Sequence, residues 1–215
     1  MYRAFFIITI LFMELNADDF SRLNPSLTEE MKINREKATL CKNPATAKEN
    51  FSDTFSYGCF CGKGYPNIKH PSKKSYKKLN SKEREELIAQ YYLIKPYDSI
   101  DEICMKHDIC YIYKGREDQA CNDAIYHSFK EIQHLFREKE SKSDPKQKQC
   151  RVLASDMASF FRTIFGTGDN ISMMRFGTFA ITTFMVMARK SIQKSSGMLD
   201  GEDDYPSEGE RCLVN

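Results

Sequence analysis

The stretch YGCFCGKG, residues 57–64, places two cysteines and three glycines within eight consecutive positions. A segment this rich in glycine is a poor helix interior, because glycine loses more backbone freedom on folding than any other residue. An extended, glycine-permitted backbone can instead turn alternate carbonyl oxygens toward one point. The stretch therefore predicts a loop that disulfides hold in place and that could cradle an ion with the carbonyls of Phe60, Gly62 and Gly64.

The N-terminus indicates the compartment. One positive charge at Arg3 precedes an uncharged apolar run over residues 4–13, which is too short to span a bilayer and is typical of a secretory signal. The rest of the chain holds eight cysteines, an even number, which favours disulfides in an oxidising compartment over thiolates. We therefore predict a signal peptide over residues 1–17 and a secreted protein.

Two segments begin with helix-capping patterns. SLTEEMKINREKATL, residues 26–40, opens with a Ser-x-x-Glu capping box at Ser26 and Glu29. SIDEICMKHDICYIYKG, residues 99–115, opens with a second such box and ends at Gly115, a residue that commonly terminates helices. Ser99 and Glu102 form that second box. Both segments are predicted to be helices.

A third helix is predicted over residues 116–138. The short connection to the preceding helix predicts an antiparallel hairpin, in which residues whose numbers sum to about 231 lie opposite one another if both helices rise equally. Cys110 then faces Cys121, and His107 faces the region of Asp123. This register predicts one disulfide and one contact between histidine and carboxylate.

Cys104 needs a partner outside the hairpin, because it and Cys110 are well separated around the same helix. Cys61 in the glycine-rich loop is the natural candidate, and that bond would bring the loop beside Asp108. A bidentate carboxylate, loop carbonyls and waters form the all-oxygen shell that suits calcium. Zinc would require sulfur and nitrogen ligands, and a Cys-x-Cys spacing is short for a zinc knuckle.

YGCFCGKG followed by CMKHDICY, residues 104–111, resembles the calcium loop and active-site helix of secreted phospholipase A2 enzymes. Their pattern is Tyr-Gly-Cys-x-Cys-Gly-x-Gly and then Cys-x-x-His-Asp-x-Cys-Tyr. The resemblance spans residues 41–138. It implies a mainly α, disulfide-rich fold with an antiparallel helix pair and a calcium-binding loop, to which we expect this chain to add extra C-terminal helices. It also implies calcium-dependent hydrolysis of the sn-2 ester of glycerophospholipids at a membrane surface.

The resemblance implies roles for individual residues. His107 would be the general base that takes a proton from the attacking water. Ca²⁺ would be held by Asp108 and by the backbone carbonyls of Phe60, Gly62 and Gly64.

A carboxylate would orient the imidazole and accept a hydrogen bond from Tyr111. The family places this aspartate directly after the cysteine that is Cys121 here, and that position holds Asn122. We predict Asp123 as the orienting residue, with Asn122 as a weaker alternative.

The family also ties the first loop cysteine to the C-terminal region. This implies that Cys59 bonds Cys150 or Cys212, and that Cys41 takes whichever of the two remains.

The chain is divided into the signal peptide, a phospholipase A2-like domain over residues 18–149 and a C-terminal extension over residues 150–215. The domain contains an insertion at about residues 65–98. Eight lysines and arginines lie between residues 63 and 84, and this segment reads as exposed and mobile. Two interpretations are equally favoured. The segment is either a solvated loop or a site that docks on anionic lipid, where each basic residue near the surface contributes about 1 kcal/mol of binding free energy.

The extension holds two apolar segments, RVLASDMASFFRTIF and ISMMRFGTFAITTFMVMARK. They predict a packed helical pair, and the alternative is a membrane-embedded hairpin. The acidic stretch LDGEDDYPSEGE predicts disorder up to Cys212.

A formal net charge of +2 says little about partners, and no nucleic-acid partner is predicted. The rival to the enzyme is a catalytically silent calcium- or membrane-binding module on the same fold. Silent members of the family commonly lose the histidine or the aspartate, and this sequence keeps both. The oligomeric state stays open.

Overall fold

The computed structural model describes residues 20–46, 56–62, 66, 68, 76–116, 118–140, 145–165 and 205–214. The predicted signal peptide, Gly64, residues 69–75 of the insertion and the second apolar segment of the extension lie outside these residues. The helices of the described part are α1 (Phe20–Leu23), α2 (Glu29–Lys37), α3 (Ser81–Tyr91), α4 (Ser99–Lys114), α5 (Gln119–Lys139) and α6 (Pro145–Phe165). A 3-10 turn spans Tyr76–Lys78, and the short strands β1 (Thr39–Leu40) and β2 (Ile94–Lys95) pair in parallel. The prediction of a mainly α, disulfide-rich fold is confirmed.

Two disulfides follow the predicted pairing. Cys110 bonds Cys121 and so joins α4 to α5 near their connection, while Cys61 bonds Cys104 and so fixes the glycine-rich loop to α4. Gly115 ends α4 as predicted, with φ of 117° and its N–H donating to the carbonyl of Tyr111 at 2.9 Å. The antiparallel hairpin and its link to the loop are therefore confirmed.

The other two disulfides contradict the prediction. Cys41 bonds Cys59, and Cys150 bonds Cys212. Ala45 and Gly58 exchange both backbone hydrogen bonds at 2.8 Å, so the chain after β1 runs beside the loop. This pairing brings Cys41 within reach of Cys59 and leaves the two C-terminal cysteines to each other.

Both predicted capping boxes are wrong by one or two residues. The Thr28 hydroxyl, not Ser26, caps α2 by accepting from the Met31 N–H at 3.3 Å. The buried Asp98 carboxylate caps α4 by accepting from the N–H groups of Ile100 and Asp101, each at 3.0 Å. A carboxylate that reaches two free N–H groups also complements the positive end of the helix dipole.

Ser99 has a different role from the predicted cap. Its Oγ accepts a hydrogen bond from the Val214 N–H at 3.0 Å, and its N–H donates to the carbonyl of Cys212 at 3.1 Å. The start of α4 thus holds the end of the chain.

Part of the predicted exposed insertion is a folded helix. Asn80 accepts from the Glu83 N–H, and Glu83 accepts from the Asn80 N–H, each at 2.9 Å, which forms a capping box for α3. Leu87 and Ile88 of α3 are buried. The interpretation of residues 81–84 as a mobile segment is therefore wrong, because apolar residues one turn later anchor them.

The first apolar segment of the extension is helical as predicted. It forms residues 151–165 of α6, of which Leu153, Ala154 and Met157 are buried in the common core. No helix among the described residues is long and apolar enough to cross a membrane.

The acidic C-terminal stretch is ordered from Tyr205 onward, against the prediction. The buried Tyr205 hydroxyl donates to Asp156 Oδ2 of α6 at 2.6 Å, and the Cys212 N–H donates to Asp98 Oδ2 at 2.8 Å. The chain end therefore ties α6 to the start of α4.

Candidate functional site

His107 lies in α4 against α5 and is only 5% exposed. Its Nε2 is 3.2 Å from Oδ1 of Asn122, which is also 5% exposed. An amide oxygen can only accept, so Nε2 donates the hydrogen bond and the neutral ring keeps its lone pair on Nδ1. The nearby Cys110–Cys121 bond fixes the two helices that carry this pair.

Tyr111 completes the buried cluster one helical turn after His107. Its hydroxyl donates to the same Asn122 Oδ1, and its ring centroid lies 4.2 Å from that of the imidazole. The predicted bond from Tyr111 to an orienting residue is present, but the acceptor is an amide oxygen rather than a carboxylate.

The predicted contact between His107 and Asp123 is wrong. Asp123 accepts a hydrogen bond from Gln119 Nε2 at 2.9 Å in an exposed pair on the surface of α5. One position along a helix turns a side chain by about 100°, and this turn takes Asp123 away from the helix interface. Asn122 therefore holds the position that sequence reasoning gave to the carboxylate.

Burial lowers the pKa of His107 to about 4, and the hydrogen bond with Asn122 offsets only part of that effect. A neutral amide stabilises an imidazolium less than a carboxylate would. The imidazole is consequently neutral at neutral pH, the form that can accept a proton.

Asp101, which sequence reasoning missed, fixes the loop to α4. Its carboxylate is fully buried and accepts from the N–H groups of Cys59 and Phe60, each at 2.8 Å, and of Cys61 at 3.3 Å. A fourth bond comes from the Tyr97 N–H at 2.8 Å. Burial raises the pKa of Asp101 to about 7, while the donated N–H groups oppose the shift. Asp101 lies three residues before Cys104, on the same face of α4. This spacing could have predicted that its side chain is buried toward the loop.

Gly58 is required by this contact. Its φ is 63°, and a Cβ built there would lie 2.3 Å from Cγ of Asp101. No larger residue fits without moving the carboxylate that holds the loop.

Asp108, the residue after His107 on α4, carries an uncompensated buried oxygen. Its Oδ2 is buried and has no hydrogen-bond partner among the described residues. Burial raises the pKa of this carboxyl well above its usual range, the charge of Asp101 adds to the effect, and Arg116 opposes it. Burial and then Asp108 also raise the pKa of Tyr76 and Tyr91. A buried acceptor without a partner is costly unless a cation or a proton satisfies it.

Two of the three predicted carbonyl ligands lie in the described part of the chain. Within that part, the carbonyls of Phe60 and Gly62 accept no backbone hydrogen bond outside the regular elements, whereas those of Tyr57, Gly58 and Cys61 do. Gly62 has a φ of 124°, in the region that favours glycine. Gly64 lies outside the described residues.

No group of three or more histidine, cysteine or acidic side chains suited to a metal ion occurs in the described ranges. The predicted shell differs from such a cluster, because it has one carboxylate and takes its other protein ligands from backbone carbonyls. The free oxygens of Asp108 and of the loop are compatible with a hard cation such as Ca²⁺.

Phe161 of α6 contacts the imidazole. Its ring lies edge-on to His107 with centroids 5.5 Å apart, and it stacks on Phe129 of α5 at 5.6 Å. Sequence reasoning missed this residue because the phospholipase A2-like motifs do not reach α6.

Comparison with known proteins gave no match among family models, curated proteins or solved structures. Its function is therefore inferred from the residues and distances given above.

Proposed function

We propose that the protein hydrolyses the sn-2 ester of glycerophospholipids in a calcium-dependent reaction, releasing a fatty acid and a lysophospholipid. The observation that carries this proposal is the adjacency of two groups on α4. A neutral histidine has its Nε2 committed to Asn122, and the next residue, Asp108, has a buried oxygen without a partner among the described residues. The first group suits a general base and the second suits a cation ligand.

Asp108 and the carbonyls of Phe60 and Gly62, together with that of Gly64, are the residues that would hold Ca²⁺. When bound, the ion would neutralise the substrate phosphate and stabilise the oxyanion that forms on the ester carbonyl. Asp101 and the Cys61–Cys104 disulfide keep the loop against α4, the helix that carries His107 and Asp108.

His107 moves the proton. Its Nδ1 accepts a proton from a water molecule as the water oxygen attacks the ester carbonyl, while Nε2–H stays on Asn122. The same proton then passes from Nδ1 to the alkoxide of the lysophospholipid as the ester bond breaks. Tyr111, through its bond to Asn122 Oδ1, fixes the amide that orients the ring.

The proposed partner is a phospholipid surface. The lysine-rich insertion would favour anionic lipid in that surface. Residues 69–75 of that insertion lie outside the described residues, so docking through its lysines stays a prediction. The four disulfides are typical of a protein from an oxidising compartment, which suits secretion.

The second candidate, a catalytically silent calcium- or membrane-binding module, is favoured by two observations. His107 is nearly inaccessible, and an amide orients it in place of a carboxylate. The two functions differ in turnover and agree in calcium binding.

Calorimetry and fatty-acid release, measured on the same preparations, test the proposal. We expect wild type to bind Ca²⁺ and to release fatty acid from mixed liposomes, and Asp108→Lys to do neither, because an ammonium replaces the carboxylate ligand. His107→Gln should bind Ca²⁺ normally and release nothing. Calcium binding by wild type without turnover would favour the silent module, and unchanged calcium affinity in Asp108→Lys would exclude the shell.

A further inference from the structure

The last residue of α3, Tyr91, packs on the glycine-rich loop. Its ring stacks on the ring of Phe60, with centroids 5.9 Å apart and an interplanar angle of 27°, a separation that is favourable for aromatic pairs. Both side chains are buried, and Tyr91 is the aromatic partner of Phe60 among the described residues. The insertion therefore contacts the loop through this pair of rings.

The other end of the Tyr91 side chain lies in the electrostatic field of Asp108. Burial raises the pKa of the Tyr91 hydroxyl, and the charge of Asp108 raises it further. Tyr76, in the 3-10 turn of the insertion, forms a hydrogen bond with that hydroxyl. Tyr91 thus contacts the residue that carries one candidate ligand, the Phe60 carbonyl, and lies near the carboxylate that is another.

Helix α3 holds the Tyr91 ring from its own side. Leu87, one turn earlier on the same face, is buried, and so is Ile88. The capping box of Asn80 and Glu83 fixes the start of the helix. A ring held in this way limits the positions that a side chain packed on it can take.

The peptide unit between Phe60 and Cys61 is fixed from two sides. The Cys61 N–H donates to Asp101 at 3.3 Å, and in a trans peptide the carbonyl of the same unit, that of Phe60, points the opposite way. The Phe60 N–H also donates to Asp101, at 2.8 Å, while the Phe60 ring packs on Tyr91. Together these contacts set the direction of the Phe60 carbonyl.

We propose that Tyr91 is a positioning residue of the candidate calcium site, because its ring holds Phe60 and so sets the Phe60 carbonyl in place before the ion binds. This inference rests on the proposed function for the identity of the ion. A ligand that is already in position raises affinity, since less order has to be imposed on binding. The phospholipase A2-like motifs do not include Tyr91, so the insertion supplies this support.

Calorimetry with Ca²⁺ tests the role of the ring. Tyr91→Leu should weaken calcium binding about tenfold, as is typical when a group that orients a metal ligand is removed. Tyr91→Phe keeps the stacked ring and should bind as wild type does. Tyr92→Leu is the matched control, because Tyr92 also packs on the core but has Arg35 and Lys106 near its hydroxyl. It should leave the affinity unchanged.

The reciprocal variant removes the other ring of the pair. Phe60→Leu keeps the backbone carbonyl, so a direct loss of the ligand is excluded, and we expect it to weaken calcium binding as Tyr91→Leu does. The double variant Phe60→Leu, Tyr91→Leu should bind no more weakly than either single variant, because both changes remove one interaction. Phe60→Leu also tests the contact if Tyr91→Leu does not fold.

Amide hydrogen exchange in chelator tests the same contact without calcium. The Phe60 N–H reports the loop, and the N–H of Ile109, a fully buried residue of α4, serves as the reference for global unfolding. Tyr91→Leu should accelerate exchange at Phe60 by at least about tenfold relative to Ile109, as expected for local opening of the loop. Tyr91→Phe and Tyr92→Leu should leave the ratio of the two rates as in wild type.

The proposal is overturned if Tyr91→Leu and Tyr92→Leu have equal calcium affinities and equal exchange ratios. A loss of affinity in Tyr91→Phe as large as in Tyr91→Leu would contradict the role of the ring. If the exchange ratios follow the proposal but wild type binds no Ca²⁺, Tyr91 positions Phe60 and the proposed function fails.

Discussion

Nε2 of His107 lies 3.2 Å from Oδ1 of Asn122, so the buried histidine is oriented by an amide. An amide fixes the tautomer as well as a carboxylate does, because its oxygen only accepts. It does not supply the negative charge that would stabilise the imidazolium after proton transfer. The arrangement therefore suits a base that is neutral over a wide pH range and weak when it has to accept a proton.

Asn122→Asp should strengthen the base. A carboxylate at this position would raise the pKa of His107 from about 4 by about 1 to 3 pH units, the range for an opposite charge within a few ångströms. An NMR titration of the His107 ring in chelator measures the midpoint. Asp123→Asn, one position along the same helix, is the control and should leave it in place. An unchanged midpoint in Asn122→Asp would mean that residue 122 does not contact the ring in solution.

Asn122→Ala should lower turnover more than Asp123→Asn does. Truncating Asn122 leaves the Nε2–H and the Tyr111 hydroxyl buried without their shared acceptor, a loss that corresponds to about 10- to 100-fold in rate. Asp123 bonds only to Gln119 at the surface, so its substitution should change turnover by no more than about twofold. Fatty-acid release by both variants decides the order. The reverse order would return the orienting role to Asp123.

The hairpin and its Cys110–Cys121 disulfide could be predicted from sequence because they depend on local periodicity. Cys104, Cys110 and Cys121 occupy fixed positions around helices of known pitch, and Gly115 marks the end of the first one. The error at Asp123 has the same origin. Equal rise in both helices gives the level of a contact along the hairpin, but not the rotation that decides between neighbouring residues such as Asn122 and Asp123.

The contacts that sequence reasoning missed join distant parts of the chain. Asp101 binds N–H groups about 40 positions away, Phe161 reaches His107 from another helix, and Cys41 pairs with Cys59 through the bridge at Ala45. Nothing in the local pattern of one segment specifies its partner in another. Helix α3 is different, because its capping box at Asn80 and Glu83 is visible in the sequence. The many lysines around it led instead to the prediction of an exposed, mobile segment.

The stability of the protein should depend on the burial of His107 in acid. The pKa of this group is about 4 in the folded protein against 6.5 as its ordinary value. A depressed pKa contributes stability that is fully present above about pH 6.5 and is lost as the pH falls through about 4, because the unfolded chain binds the proton first. The contribution is about 3 kcal/mol.

Urea unfolding in chelator checks this dependence. Between about pH 7 and about pH 4, wild type should lose about 3 kcal/mol more of its free energy of unfolding than His107→Gln does. Burial raises the pKa of the Asp98, Asp101 and Asp108 carboxyls. The variant keeps all three, so we expect their opposite contribution to cancel in the comparison. Parallel pH profiles for the two proteins would show that His107 titrates normally.

Gly58→Ala should destabilise the loop far more than Gly209→Ala. Both glycines have positive φ, 63° and 83°, so both variants carry the backbone strain of about 1 kcal/mol. Only at Gly58 does the added Cβ meet a neighbour, the Asp101 carboxyl, whereas nothing lies within 4 Å at Gly209. We expect the free energy of unfolding, measured in urea, to fall by at least about 2 kcal/mol more in the Gly58 variant than in the Gly209 variant. The Gly58 variant should also bind calcium more weakly. Equal losses would mean that Asp101 is free to move.

The most direct test of the proposed activity uses a glycerophospholipid that carries its label in the sn-2 acyl chain. Anionic liposomes of this lipid are incubated with wild type in calcium and in chelator, and with His107→Gln in calcium. We expect wild type to release labelled fatty acid and unlabelled lysophospholipid in calcium alone, and His107→Gln to release neither. Label retained on the lysophospholipid, release that persists in chelator, or full release by His107→Gln would contradict it.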